Sequence, residues 1–171
     1  MKAILMSIKP RFVADILNGK KTIEVRKRFP LNYRGWVYIY CTKEDNLFKS
    51  YIRMGYYTTR STADDLSYNG KGKVVARFYV NNVEEIKTDY APRDTFFEEC
   101  CLTPIELFDY IGHSKWYAIH ISQLEIFDEP KELSEFKVRK NDCPFPCSMC
   151  NVSYCQLKKA PQSFMFIAIG D

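Results

Sequence analysis

Apolar positions change their spacing several times along the chain, and each change marks an element. Residues 2–8 alternate loosely and are rich in β-prone side chains, so they predict a first strand. Pro10 suits the first turn of a helix, where its missing N–H costs nothing. Phe12, Val13, Ile16 and Leu17 then fall on one helical face, and Asn18-Gly19 supplies a stop. Beyond Gly19 the period becomes two, with Lys21, Ile23 and Val25 alternating against Thr22, Glu24 and Arg26. Phe29-Pro30 ends that strand, and Tyr33-Arg34-Gly35 reads as a turn into a third strand, Trp36–Cys41. Residues 43–57 can form a helix with Leu47, Phe48, Tyr51 and Ile52 on one side, and 58–72 are polar enough for a loop. Val74–Val80, continuing towards Ile86, predicts a fourth strand. Thr103-Pro104-Ile105-Glu106 has the order of a capping box and opens a helix that Gly112 closes. Trp116–Ile121, with a continuation through Leu124 to Phe127, and Phe164–Ile169 complete about six strands.

Strands outnumber helices and no regular βα alternation is present, which excludes a doubly wound sheet. The pattern favours a β-rich α+β architecture, a small barrel or curled sheet with helices over its openings. At 171 residues the chain is expected to be a single domain over 1–171. Its 46% hydrophobic and 15% aromatic content argues against disorder. No apolar run is long enough for a membrane span and the N-terminus lacks a signal-peptide core, so the expectation is a cytoplasmic protein with no membrane partner. Nothing in the sequence speaks to oligomeric state.

Net charge is +4, which alone decides little. Its distribution says more. Residues 84–109 hold eight acids and two bases, a balance of −6 that leaves +10 for the rest. Within that remainder Lys20, Lys21, Arg26, Lys27 and Arg28 surround Glu24 alone. A basic face of this kind suits a phosphate-bearing partner. The acidic segment can lie elsewhere or fold over the cleft as a gate.

Gly19-Lys20-Lys21-Thr22-Ile23-Glu24-Val25-Arg26 resembles the Gly-x-Lys-x-x-Glu-x-Arg signature of the ASCH (activating signal cointegrator homology) family. Ser7-Ile8-Lys9-Pro10 ahead of the helix, Val37–Tyr40 after the signature, and Ala160-Pro161-Gln162-Ser163-Phe164 near the end extend the likeness along the chain. The resemblance implies a PUA-like β-barrel, with residues 43–72 and 141–156 as elaborations. It also implies a ligand cleft at the signature strand for RNA, another nucleic acid or a nucleoside.

Alternation predicts Ile23 and Val25 inside the barrel, with Thr22, Glu24 and Arg26 on the outer face. Glu24 beside Lys21 and Arg26 would stay ionised and orient them, and the arginine fork can meet a phosphate or a base edge. The candidate nucleic-acid-binding set is Lys9, Lys20, Lys21, Thr22, Glu24, Arg26, Gln162 and Ser163. Tyrosine and phenylalanine, twelve of each, offer stacking platforms, although most must serve the core. The favoured reading is an RNA- or nucleic-acid-binding module.

An enzymatic alternative stands beside it. Some relatives within the superfamily are amidohydrolases on acylated cytidines, in which a lysine activates a threonine and a later glutamate assists. Lys21 matches the lysine, but Glu24 occupies the threonine position, Thr22 is displaced, and Glu98 or Glu99 would have to supply the distal carboxylate. A carboxylate cannot replace a hydroxyl nucleophile without changing the chemistry. A nuclease using the Lys21/Glu24/Arg26 cluster for acid–base chemistry is the other hydrolase reading. His113, in a loop, and His120, on a strand, read as structural.

Seven cysteines fall as Cys41, the pair Cys100/Cys101, and a late group, Cys143, Cys147, Cys150 and Cys155. In a reducing compartment a disulfide framework is not expected, and the first three read as small buried residues. Four thiolates in the late group can surround Zn²⁺, with Pro144 and Pro146 stiffening the loop. Four uncoordinated thiols are the competing reading. Cys143-x3-Cys147-x2-Cys150 also copies an iron–sulfur spacing of radical-SAM enzymes, whose large barrel this chain is too short to build.

Overall fold

The computed structural model describes residues 1–43, 70–87, 92–139, 142 and 153–169. Its elements are β1 (Lys2–Ile8), α1 (Pro10–Leu17), β2 (Ile23–Arg26), β3 (Gly35–Cys41), β4 (Val74–Ile86), α2 (Asp94–Cys100), α3 (Pro104–Ile111), β5 (Trp116–Lys131), β6 (Lys137–Arg139), β7 (Tyr154–Gln156) and β8 (Phe164–Ala168). A single turn of 3₁₀ helix, Leu133–Glu135, leads into β6. The helix expected over 43–57 and most of the 58–72 loop lie outside the described residues, as do Cys143, Cys147 and Cys150. Among the described residues no helix is long and apolar enough to cross a membrane. Nor does any group of three metal-ligating side chains converge among them.

One eight-stranded sheet runs β2-β5-β4-β3-β1-β8-β6-β7. All its pairings are antiparallel except β1 with β3. The fold is β-rich α+β as expected, but the sheet has eight strands rather than about six and does not close into a barrel. Two physical features account for this. First, β6 and β7 are three residues each, too short for a period of two to register, and they extend the sheet beyond β8. Second, β2 is only four residues long and its strand neighbour is β5 alone. The long strands β4 and β5 bend through register shifts near Val74, Arg77 and Val80, which curl the sheet without joining its ends.

Three apolar clusters follow from the curl. Ile4, Met6 and Ile8 of β1 meet Val13, Ile16 and Leu17 of α1, together with Val37, Ile39, Phe78, Val80 and Ile119. The other face of β1 and β8 packs Leu5 and Ile167 on Phe136, Val138 and Leu157. A third cluster sets Ile23 and Val25 of β2 against Phe96, Cys100 and Leu107 of α2 and α3, with Trp116 between them. Sequence reading missed α2 because its seven residues, DTFFEEC, give too short a window for helical periodicity. The helix α3 forms where its capping box placed it: Thr103 Oγ1 accepts from the Glu106 N–H while the Glu106 carboxylate accepts from the Thr103 N–H.

Candidate functional site

The signature strand faces the opposite way from the sequence expectation. Ile23 and Val25 turn outward under α2 and α3, whereas Glu24 stands in register with Ile119 and shares its inward face. Arg26 likewise pairs in register with Tyr117, another residue of the inner cluster. Alternation separated the two faces correctly but could not show that both are buried. The apolar pair has its own cover, made from the acidic segment. α2 and α3 supply Phe96, Cys100 and Leu107, so the segment read as a possible gate instead roofs the outer face of β2.

Lys21, Glu24 and Arg26 are therefore buried, at 2%, 5% and 9% exposure. They form one network rather than an open cleft. Glu24 accepts from Arg26 at 2.8 Å and lies 3.3 Å from the Lys21 ammonium. Lys21 also donates to the Cys100 carbonyl at 2.5 Å and sits 5.0 Å from the Phe12 ring centre. Arg26 donates to the Ser7 carbonyl at 2.7 Å and approaches the Ser163 hydroxyl at 3.5 Å. Removing such charges from water is costly, and only this set of partners makes it tolerable. The trio nevertheless carries a net positive charge, and Arg26 Nε, also buried, finds no hydrogen-bond partner among the described residues.

Local geometry explains how the strand arrives there. Gly19 takes φ +70°, and the turn that follows lets the Lys20 and Lys21 N–H groups both donate to the Asp15 carbonyl. Thr22 N–H then donates to the Glu99 carbonyl, which ties the start of β2 to α2. The Asp15 carboxyl is raised by burial, against the pull of Arg11, Lys20 and Lys21. Burial pushes the Cys100 and Cys101 thiols up as well, so both remain protonated beside the network. At the far end Tyr110 of α3 is raised by burial and eased by Arg26.

Of the other candidates, Lys9, Lys20, Thr22 and Gln162 are exposed and Ser163 is half-buried. Ser163 reaches the trio through its hydroxyl, beside Arg26. Sequence reading missed Ser7, whose carbonyl holds Arg26 and whose hydroxyl donates to the Pro161 carbonyl at 2.6 Å. Its contribution is through backbone, which a residue-type pattern does not reveal. His120 pairs with Glu84 at 2.6 Å away from this network.

With this geometry in place, the fold can be set against known structures. The crystal structure of the ASCH protein from Zymomonas mobilis superposes with a TM-score of 0.56 at 19% identity, covering 97% of this chain and 87% of that one. A serine-to-alanine variant of the same protein gives 0.55 at 18%, over 97% and 88%. A tyrosine-to-phenylalanine variant gives 0.52 at 21%, over 93% and 92%. This chain has the ASCH fold. No family model and no curated protein matches the sequence. Here that fold is an open curled sheet whose seam lies beside β2. Arg26 crosses that seam: it leaves β2 and donates to the Ser7 carbonyl of β1, a strand whose ladder neighbours are β3 and β8.

Proposed function

We propose that the chain is an RNA-binding module of the ASCH type, organised around the signature strand β2. The observation that carries this reading is the buried, net-positive Lys21–Glu24–Arg26 network with its unpartnered Arg26 Nε, on an ASCH fold. The network fixes β2 against β1 and α2, so that the exposed Lys20, Lys27 and Arg28 present charge from a rigid base. Backbone phosphates are the groups such cations meet, and the contacts release counterions.

The hydrolase readings draw less support. Glu24 is engaged by both cations, and Thr22 is exposed whereas Lys21 is buried. Glu99 lies 3.6 Å from Arg93, and no described contact brings it to Glu24.

Fluorescence anisotropy with a labelled single-stranded RNA over a salt series tests the proposal. The expected result is saturable binding that weakens linearly in log[salt]. Absence of binding at low salt rejects it. Release of cytidine from an acylated cytidine, lost in folded Lys21→Ala, would replace binding with catalysis.

A further inference from the structure

The seam that keeps the sheet from closing also opens a groove. A cavity of about 480 Å³ is lined on one side by Lys27, Arg28, Phe29 and Pro30, directly after β2. Its other walls are Ser114 and Lys115 just ahead of β5, Tyr117 within it, and Phe164 and Phe166 of β8. That volume falls within the range of about 300–1,000 Å³ usual for ligand clefts. The floor is aromatic: Phe29 and Phe164 pack with ring centres 5.4 Å apart, and Phe29 meets Tyr33 edge-on at 5.8 Å.

The rim is cationic. Lys27 and Arg28 are exposed on one lip, and Lys115, 61% exposed and paired with Glu85 at 3.0 Å, stands on the other. No carboxylate is among the lining side chains, and Glu85 stands behind them, accepting from both Lys115 and Tyr117. An apolar ligand would leave the Lys27 and Arg28 charges unused, and a bare anion would leave the aromatic floor unused. A single-stranded nucleotide segment uses both, with its base on the rings and its phosphates between the lips.

We propose that this seam groove is the subsite where single-stranded RNA docks, the base against the half-buried Phe164 and Phe166 with the buried Phe29 behind them, and flanking phosphates on Lys27, Arg28 and Lys115. The assignment rests on the RNA-binding reading above. It moves the point of contact from the buried signature trio to the residues that immediately follow it. The trio then acts as a positioning element, holding Arg26 across the seam so that Lys27 and Arg28 project at its lip.

The test uses the full chain and a labelled oligouridine. Lys27→Glu/Arg28→Glu and Lys115→Glu change exposed side chains, so both proteins should fold, as circular dichroism will check. Each is expected to bind about tenfold or more weakly near ~0.15 M salt. The salt slope should fall by about 0.7 for each phosphate contact removed. As a second measurement, ultraviolet crosslinking to the wild-type chain should place the RNA on peptides containing Phe29 or Phe164–Phe166. Full affinity in both folded variants, or crosslinks confined to other peptides, overturns the groove while leaving RNA binding intact. No RNA binding by the wild type removes the underlying reading as well. In that event, binding of an acidic peptide that is lost in the same variants would assign the groove to a protein partner instead.

Discussion

The Lys21 ammonium donates to the Cys100 carbonyl at 2.5 Å, a contact between residues 79 positions apart. It fastens the entrance of the signature strand to the last residue of α2. Because Lys21 is 2% exposed, nothing in solvent can take its place.

Lys21→Met should therefore destabilise the fold strongly. The substitution leaves the Cys100 carbonyl without its partner and Glu24 with one cation instead of two. Breaking a buried pair in this way costs about 3–5 kcal/mol. Urea denaturation should show a lower midpoint at unchanged slope. A loss below about 1 kcal/mol would mean that the network is an ordinary surface ion pair.

This buried role was only half legible in the sequence. The signature octapeptide and the order of its neighbours pointed to the correct fold, and the capping box at Thr103 was read residue by residue. The facing of β2 was not legible, because composition makes a Lys/Glu/Arg face the solvated one by default. What overrides that default comes from distant backbone, the carbonyls of Ser7 and Cys100, and from the apolar roof that α2 and α3 place over Ile23 and Val25. Neither is visible to a local pattern. The short strands β6 and β7 escaped for a different reason: three residues cannot establish a period.

A second prediction concerns Glu106, which closes the α3 capping box and pairs with Arg11 at 2.8 Å. The Thr103 N–H, and after it Arg11, hold its carboxyl below the ordinary 4.5. A lowered folded pKa means that the contribution is complete above about pH 4.5 and is lost as pH falls through the lower folded value. Glu106→Gln should thus be less stable than wild type at neutral pH, with the gap closing on acidification. Thr103→Ala should cost about 0.5–2 kcal/mol through the cap alone. A gap for Glu106→Gln that stays constant down to the acid limb would show that the carboxylate charge plays no part.

Gly19 carries a third prediction. Its φ of +70° lies in the left-handed region, yet a Cβ there would meet nothing within 4 Å. Gly19→Ala should therefore cost only the backbone term, about 1–2 kcal/mol, with no packing penalty. Asn, which tolerates that conformation better, should recover part of it. Thermal unfolding of the two variants would expose a wrong assignment if alanine proved neutral or asparagine the worse of the two.

The last prediction follows from Tyr33, whose hydroxyl donates to the Trp36 carbonyl at 2.7 Å while its ring packs on Phe29 and Phe166. Burial pushes its phenol up from 10.0 to about 12. A raised folded pKa gives stability that is complete below pH 10 and is lost as pH climbs towards 12, because the unfolded chain releases this proton first. Tyr33→Phe should flatten that alkaline decline, at the expense of the hydrogen bond to Trp36, about 1 kcal/mol at neutral pH. Gly35 offers an independent check on the same contact. Its φ is +147°, and a Cβ there would stand 3.0 Å from the Tyr33 hydroxyl oxygen, so Gly35→Ala should displace the ring and disturb the same bond. Subtracting the tyrosinate absorbance of Tyr33→Phe from that of wild type isolates this one phenol among the twelve tyrosines. A midpoint near that of free tyrosine would show the ring to be solvated, and the buried aromatic base of the seam groove would lose its innermost support.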